Sequence, residues 1–399
     1  MIKRISSFVA LAAVIVMAAG CENAKYNNIA PHAFLSECVS SAGITGSKIT
    51  YPADGIEIEL TVVLSDRATA DASFAIALDE SVLSRYNKEQ GTGYELMENS
   101  LYEIGAPVTV PAGSFTSEPA TIRIKPCPEG YAPGIYAVPV KLTKVSGDIE
   151  PTDVTSSYVA AFEVLKTFVN LPMFTGRSGL ANSSFGQTLT TFTVETRFQV
   201  SNTGNRNRDV YSNGASVLLR FEDPQSDNDS HKAHSLVQFQ GEGWYLNPDK
   251  SFEPDKWQHL ALTYDGTKVT LYINGQNAGS KEGSINPDFS VVSWFGGDVE
   301  TGGGHGTEDE QWWRGCKIIP HEARVWSVCR SASQIANSIT GVSAKSDGLV
   351  GYWSFEKDTY TEDGGFEDLT GNGHNLTTTR EFVWIDEIPL TDSSVEWPE

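Results

Sequence analysis

A regular alternation of apolar and polar positions runs through the segment 33–165. In its clearest stretch the apolar residues fall on every second position: Ile56, Ile58, Leu60, Val62 and Leu64. A period of two is expected for a strand with one buried face. The pattern returns at 120–125, 136–142 and 157–164, and only 79–88 has a helical spacing. Short strands with turns rich in Gly and Pro predict an antiparallel sandwich of immunoglobulin-like size.

A second segment, 167–386, shows the same period with sharper turn signals. Residues 192–200 alternate, and Asp265-Gly266 separates two apolar-rich runs. Asn274-Gly275 follows the second run. Both dipeptides favour the primed turns that close hairpins. Helical spacing is again confined to one short stretch, 331–339, so the whole chain is predicted to be all-β.

The first residues have the pattern of a targeting segment and are set apart from the fold. Residues 1–21 begin with two basic residues and continue with an apolar run, 8–19, too short to span a bilayer core of ~30 Å. Small residues then precede Cys21. This arrangement resembles a bacterial lipobox, which implies a lipid on Cys21; an ordinary secretory signal is the alternative. Residues 22–32 are predicted to be a polar tether, and 387–399 a C-terminal tail.

The predicted location is the outer membrane, with the lipid as the only membrane attachment. Glu22 rather than Asp follows the cysteine, so the inner-membrane retention signal known from some bacteria is absent. No other apolar run is long enough to span a bilayer. Whether the chain faces the periplasm or the outside stays open.

Charge excludes one class of partner. The chain has 51 Asp+Glu against 29 Lys+Arg, a formal net charge of −22. Nucleic-acid phosphates bind clustered Lys and Arg, and no such cluster occurs, so nucleic acid is not an expected partner. Hydrophobic residues make up 40% of the chain, which is enough for packed cores.

Four cysteines remain after Cys21: Cys38, Cys127, Cys316 and Cys329. None has the CxxC spacing of a zinc site. A strand over 316–327 would hold Cys316 and Cys329 beyond the Cα limit of about 7 Å for a disulfide. Burial as small apolar side chains is favoured, although the sequence leaves the disulfide state open.

The first segment resembles a Bacteroidetes domain of unknown function, DUF1735. The resemblance depends on a series of short motifs: Tyr86-Asn87, Gly93-Tyr94, Leu96, Tyr102, Val110-Pro111-Ala112-Gly113-Ser114 and Pro133-Gly134-Ile135-Tyr136. It covers roughly 33–165 and implies a spacer or platform behind a lipidated cysteine. It supplies no catalytic residues.

Three signatures in the second segment resemble the laminin-G-like, concanavalin A-like jelly roll. They are the stretches 257–266 with 271–275, 322–327 with 330–335, and 348–356 with 368–373. Together the two resemblances imply an N-terminal immunoglobulin-like β-sandwich followed by a concanavalin A-like jelly-roll sandwich.

Catalysis is not expected. Related jelly rolls include glucanases whose catalytic strand has the pattern Glu-x-Asp-x-x-Glu, and the pattern is absent here. Glu57 and Glu59 have a suitable spacing but alternate with a core stripe, as a solvated face would. Asp386-Glu387 lies near the terminus beside a proline and is not expected on a long strand.

Calcium is a candidate structural ion, because related jelly rolls often hold one and loop carboxylates and amides are its preferred ligands. The candidate ligands lie in two acidic loops: Asp223, Asp227 and Asp229 in one, Asp368 and Asn372 in the other. The alternative is that these acids only form part of an acidic surface.

Sugar rings present apolar faces, so glycan sites combine aromatic rings with a few polar groups. Trp257, Trp326 and Trp353 lie in the jelly-roll signatures and are assigned to the core. The candidate glycan ligands are the remaining aromatics and a Gly-rich acidic loop before the double Trp: Trp244, Tyr245, Trp294, Asp298, His305, Trp312 and Trp313. Adjacent residues of a strand face opposite ways, so one ring of each aromatic pair is expected outside the core. The alternative is that all five aromatics pack inside.

The sequence therefore predicts a non-catalytic carbohydrate-binding lipoprotein of a polysaccharide-utilisation system. Its expected partners are a glycan and an outer-membrane uptake complex. A protein-interaction or adhesion module is the main alternative, and a divergent glycoside hydrolase is a distant one.

Overall fold

The computed structural model describes residues 31–38, 43–129, 131, 133–164, 166, 168–213, 216–222, 234–241, 243–297, 309–390 and 397. Cys21, Asp223, Asp227, Asp229, Asp298 and His305 lie outside this set. Nearly all regular structure in the described residues is β, as predicted. No helix among them is long and apolar enough to cross a membrane.

The N-terminal domain contains twelve strands within the described residues. They are β1 His32–Leu35, β2 Thr45–Thr50, β3 Ile56–Leu60, β4 Val62–Leu64, β5 Ala72–Leu78, β6 Glu95–Leu96, β7 Tyr102–Ile104, β8 Val108–Val110, β9 Ala120–Ile124, β10 Gly134–Ser146, β11 Glu150–Pro151 and β12 Ser157–Val164. Their sheets have the orders β11-β1-β4, β2-β12-β10-β5-β8 with β6 added to β10, and β3-β9-β7. Three pairs are parallel, β1 with β11, β2 with β12 and β6 with β10, so the fully antiparallel arrangement expected from the sequence is wrong in these places.

Helix α1, Glu80–Gln90, is the helix that the spacing at 79–88 predicted. Asp79 caps it by accepting a hydrogen bond from the Ser81 amide. Gly91 ends it with a φ of 61°, a left-handed conformation that glycine adopts without strain. Its apolar side, including Val82 and Leu83, packs on the outer surface of the β10–β12 sheet.

The second domain contains sixteen strands within the described residues. They are β13 Phe168–Thr175, β14 Ala181–Asn182, β15 Phe192–Val200, β16 Asp209–Ser212, β17 Leu218–Glu222, β18 Leu236–Gly241, β19 Trp244–Leu246, β20 Gln258–Tyr264, β21 Lys268–Ile273, β22 Gln276–Glu282, β23 Val292–Trp294, β24 Lys317–Trp326, β25 Leu349–Trp353, β26 Gly365–Phe366, β27 Leu376–Thr377 and β28 Phe382–Pro389. Two short helices, α2 Asp309–Trp313 and α3 Ala332–Ala336, lie between them. Among the described residues, Ser36–Cys38, Asn99–Leu101 and Lys357–Thr359 form 3₁₀ turns.

Two sheets of the second domain form a sandwich. We call the sheet β22-β21-β20-β15-β24-β13-β28, with β25 added to β24, the front sheet, and the sheet β19-β18-β17-β16-β23-β14-β27-β26 the back sheet. One large core lies between them and includes Val194, Leu262 and Val325 of the central front strands. These three residues are paired across β15, β20 and β24. Because side chains alternate along a strand, the neighbouring positions point away from this core.

The turns of the front sheet differ from each other. Asn274 and Gly275 both have positive φ, 51° and 73°, as the predicted primed turn requires. At the preceding hairpin only Gly266 has a positive φ, so a primed turn was the wrong prediction there. Asp265 instead closes a longer loop by accepting hydrogen bonds from the amides of Thr267 and Lys268.

The C-terminal end of the fold also differs from the prediction. Strand β28 pairs with β13 as far as Pro389, beyond the predicted boundary at 386. Asp386 and Glu387 therefore lie on an eight-residue strand, where a strand was not expected. Within the predicted tail, the Trp397 ring packs against the core and donates to Asp255.

The four cysteines in the described residues are free. Cys38 and Cys316 are buried, Cys127 is half-buried and Cys329 is exposed. The prediction that they pack as small apolar residues holds for the first two and is wrong for Cys329.

The domains contact each other across the outer face of the front sheet. Lys48 of the first domain donates to the Asn337 carbonyl after α3, at 2.9 Å. The Arg330 guanidinium of the second domain donates to the Gly91 carbonyl at the end of α1, at 3.4 Å. The first domain is therefore packed against the second.

Candidate functional site

The predicted aromatic residues are dispersed rather than gathered into one site. Trp294 on β23 and Trp313 on α2 are buried in the core of the sandwich. The Trp294 ring packs against Tyr211 with centroids 4.6 Å apart. The Trp313 ring packs against Phe221 at 6.3 Å. Both tryptophans are core residues, so their assignment to a glycan surface is wrong.

The strand geometry expected for the double Trp is also wrong. Trp312 and Trp313 lie on helix α2 and not on a strand. Successive helical residues are turned by about 100°, so one ring enters the core while its neighbour lies at the side. Trp312 is half-buried. Its carbonyl accepts hydrogen bonds from Arg208 and Asn205, which attaches α2 to the end of the sandwich.

Trp244 and Tyr245 separate as the strand argument predicted. They lie on β19, the edge strand of the back sheet. Trp244 turns inwards against Phe239, with ring centroids 5.0 Å apart. Tyr245 turns outwards and is 48% exposed. The Lys281 amine lies 5.6 Å and 5.5 Å from the two ring centroids and donates to the Tyr245 carbonyl.

Amide side chains share the outer surface with Tyr245. Tyr245 is paired with Gln240 across β18 and β19, and Gln240 is exposed. Two residues further along each strand, Gln238 donates to Asn247 at 2.7 Å. We call this group of Tyr245, Gln240, Gln238 and Asn247 the Tyr245 face. It places an accessible ring beside the exposed amide of Gln240 and the half-buried amide of Asn247, while Gln238 is buried and holds Asn247.

The structure describes only part of the acidic loops that were predicted to hold calcium. Asp223, Asp227 and Asp229 fall outside the described residues, as does most of the loop with Asp298 and His305. Asp368 is buried, and its carboxylate accepts hydrogen bonds from Tyr352, Thr370 and His374. Those contacts give it a structural role in closing its loop.

Asn372 is exposed and donates to the Val350 carbonyl. Within the described ranges, no three His, Cys, Asp or Glu side chains are grouped as a metal would require. Calcium binding stays a prediction, since the other acidic loop is not described.

A buried ionic cluster lies on the outer face of the front sheet. The Glu195 carboxylate accepts from Arg330 at 2.7 Å and from Trp326 at 2.7 Å. It is 3.1 Å from the His259 ring and 3.5 Å from Arg324. Burial opposes ionisation of Glu195, but the charges of Arg324 and Arg330 outweigh it and hold its pKa below the ordinary value. His259, expected to be structural, is part of this cluster.

A cavity of about 720 Å³ lies between the two domains, next to this cluster. The first domain lines it with Ile135 and Val164, and the second with Val342, Ala344 and Leu369. Its polar lining includes His321, Glu322, Tyr352 and Glu356. The volume falls in the range of small-molecule sites, about 300–1,000 Å³. Sequence reasoning missed this cavity, because its two walls are far apart in the chain.

Two buried side chains in the polar lining, His321 and Glu322, have polar atoms without a hydrogen-bond partner among the described residues. The Glu322 carboxylate accepts from the Tyr352 hydroxyl through one oxygen, at 2.9 Å. Its other oxygen and both ring nitrogens of His321 have no hydrogen-bond partner among the described residues. Burial raises the pKa of Glu322 to about 7. Burial, with the nearby charges of Arg197 and Arg324, holds the pKa of His321 well below its ordinary value, so the imidazole is neutral.

Comparison with known proteins agrees with this architecture. Residues 40–149 match the model of a family described as an N-terminal domain. Residues 175–336 match the laminin G model of the concanavalin A-like lectin/glucanase superfamily. The two matches follow each other along the chain, and the laminin-G-like resemblance inferred from its signatures is confirmed.

Solved structures are similar to this chain at low sequence identity. A candidate carbohydrate binding protein from Bacteroides ovatus is 19% identical, with a TM-score of 0.50 over 90% of this chain and 99% of that one. A multidomain protein including DUF1735 from the same organism is 14% identical, with a TM-score of 0.25 over 75% of this chain and 96% of that one. A SAP-like pentraxin from Limulus polyphemus is 15% identical, with a TM-score of 0.35 over 58% and 100%. No curated protein matches the sequence.

Proposed function

We propose that this chain is a non-catalytic carbohydrate-binding lipoprotein of a polysaccharide-utilisation system, held at the outer membrane by a lipid on Cys21. The observation that supports glycan binding most directly is the Tyr245 face. An accessible aromatic ring offers a surface for the C–H face of a sugar. The surrounding amides both donate and accept hydrogen bonds, as sugar hydroxyls require.

The setting of the Tyr245 face supports the same proposal. It lies on the edge strand β19 and its neighbour β18, whose other side is fixed to the core through Leu246 and Phe239. Binding groups on a rigid scaffold lose little conformational freedom when a ligand arrives. Lys281 adds a charged donor beside the ring. The fold is that of a superfamily described as lectins and glucanases, and an uptake complex at the outer membrane is the partner that this role implies.

The test is a glycan-array screen of residues 22–399, followed by affinity measurements on Tyr245→Ala. We expect the variant to bind its glycan about ten-fold more weakly, which corresponds to about 1.4 kcal/mol. Its melting temperature should stay close to that of the parent, because the ring is half exposed. Phe115→Ala is the matched control: Phe115 is 40% exposed on the other domain and also has a cation beside its ring.

Three results would contradict the proposal. Equal affinity of Tyr245→Ala and the parent would place the site elsewhere. Binding to an envelope protein without any glycan binding would favour an interaction module. Release of reducing sugar from a bound glycan would identify a hydrolase.

A further inference from the structure

We propose that the cavity between the two domains is a second ligand site, which takes a mono- or disaccharide without negative charge. We define this interdomain site by His321, Glu322, Tyr352, Val342 and Ala344. It is separate from the Tyr245 face, since one lies outside the front sheet and the other outside the back sheet. The inference therefore does not depend on the proposed function.

The backbone conformation of Glu322 supports a ligand site in this cavity. Its φ is 58°, a left-handed conformation that costs a non-glycine residue free energy. It lies in the middle of β24, where Arg197 pairs with His321 and Glu195 pairs with Arg324. Two residues of β24 thus oppose one of β15, which is a β-bulge. Bulges next to ligand sites redirect a side chain, and here the bulge accompanies a carboxylate in the cavity wall.

Buried polar atoms without hydrogen-bond partners support the same site. A buried donor or acceptor that lacks a hydrogen bond loses its solvation without compensation. One Glu322 oxygen and both His321 nitrogens are in this condition among the described residues. The two side chains are neighbours, with His321 Nε2 3.6 Å from Glu322 Oε1, the oxygen that accepts from Tyr352. A neutral imidazole provides one donor and one acceptor, and the free oxygen of the carboxyl accepts a hydrogen bond when ionised and can donate one when protonated. Neighbouring hydroxyls of a sugar would satisfy all three.

The remaining walls of the cavity suit an uncharged sugar. Apolar side chains from both domains, such as Ile135, Val164 and Leu369, line most of the cavity, which suits the C–H faces of a sugar ring. Among the described lining residues, the carboxylates Glu163, Glu356 and Asp358 outnumber the lysine Lys166, which is paired with Glu356. An anionic ligand would meet these charges and the free oxygen of Glu322.

The experiment measures the melting temperature of the full mature chain with glucose, cellobiose, maltose and lactose, and calorimetric affinity for any sugar that raises it. Glucosamine and glucuronate serve as positively and negatively charged counterparts of glucose. We expect at least one neutral sugar to bind and glucuronate not to bind. Ala344→Phe, which fills the cavity from a half-buried loop position, should abolish that binding.

Two further variants keep the test decisive. Tyr245→Ala should bind the same sugar as tightly as the parent, which separates this site from the Tyr245 face. Glu322→Gln retains the side-chain shape and should bind several-fold more weakly, even if Ala344→Phe fails to fold. The proposal is overturned if no sugar of the panel binds, if glucuronate binds, or if binding survives in a folded Ala344→Phe variant.

Discussion

At the scale of single residues, Glu322 combines features that are each unfavourable for folding. It has a left-handed backbone conformation, complete burial and a carboxylate oxygen without a partner. Burial raises its pKa to about 7, while the Arg324 charge and the Tyr352 hydroxyl lower it less effectively. A residue of this kind persists only where the surrounding structure fixes it.

The raised pKa of Glu322 predicts a pH-dependent stability. The folded protein holds this proton up to about pH 7, whereas the unfolded chain releases it near 4.5. The contribution of Glu322 to the free energy of unfolding is complete below pH 4.5. It is lost as the pH rises to about 7, a change of about 3 kcal/mol. Glu322→Gln cannot ionise and does not lose this contribution. The melting temperature of the variant minus that of the parent should therefore increase as the pH rises over this range.

Glu59→Gln is the control for this titration, because Glu59 is an exposed carboxylate on β3. Melting curves of both variants and the parent, taken from acid to neutral pH, decide the question. A constant difference between Glu322→Gln and the parent would mean that folding does not shift the pKa of Glu322.

At the scale of secondary-structure elements, the buried Glu195 cluster connects strands that are distant in sequence. Glu195 lies on β15, His259 on β20, and Arg324 and Trp326 on β24. Arg330, which precedes α3, stacks on the Trp326 ring at 4.1 Å and also bonds the Ser338 hydroxyl. The cluster thereby fixes α3 to the front sheet.

Removing the charge at the centre of this cluster should be costly. Glu195→Gln leaves the Arg324 and Arg330 charges buried without a counter-ion, for which we expect a loss of about 3–5 kcal/mol in the free energy of unfolding. Glu57→Gln breaks the exposed pair with Arg123 and should change it by less than about 1 kcal/mol. Urea denaturation measures both. Similar losses in the two variants would show that the buried cluster contributes no more than a surface pair.

The sequence predicted elements better than it predicted the sites. Alternation identified strands such as β3 and β15, because one-sided burial imposes a period of two. Trp294 and Trp313 were misplaced, because a list of aromatics does not report which ring the opposite sheet covers. Helix α2 has only five residues, too few for a helical period. Glu322 is the first residue of a recognised signature and His321 directly precedes it, but the residues across the cavity come from another domain.

At the scale of the whole molecule, the first domain does more than separate the second from the membrane. It supplies part of a cavity wall and accepts a hydrogen bond from Arg330. The resemblance in the sequence implied a spacer or platform. The contacts make the two domains parts of one assembly, to which any anchor on Cys21 would be attached through the first domain.

Lipidation is the prediction that concerns the molecule as a whole. Cys21→Ser removes the thiol that would carry the lipid, so the variant should neither incorporate labelled palmitate nor appear in the outer-membrane fraction. Cys329→Ser replaces an exposed cysteine of the second domain and should leave both properties unchanged. Recovery of Cys21→Ser in the outer-membrane fraction would require a different anchor.

The short connection between the domains has a consequence for how they associate. Strand β12 ends at Val164 and β13 begins at Phe168, so the two strand ends are at most about 14 Å apart along the chain. A connection this short gives each domain a high effective concentration around the other, of millimolar order or above. Contacts that would be too weak to join two separate molecules can then hold the domains together. Substitutions at the domain contact should consequently be tolerated better in the intact chain than in a mixture of the two separate halves.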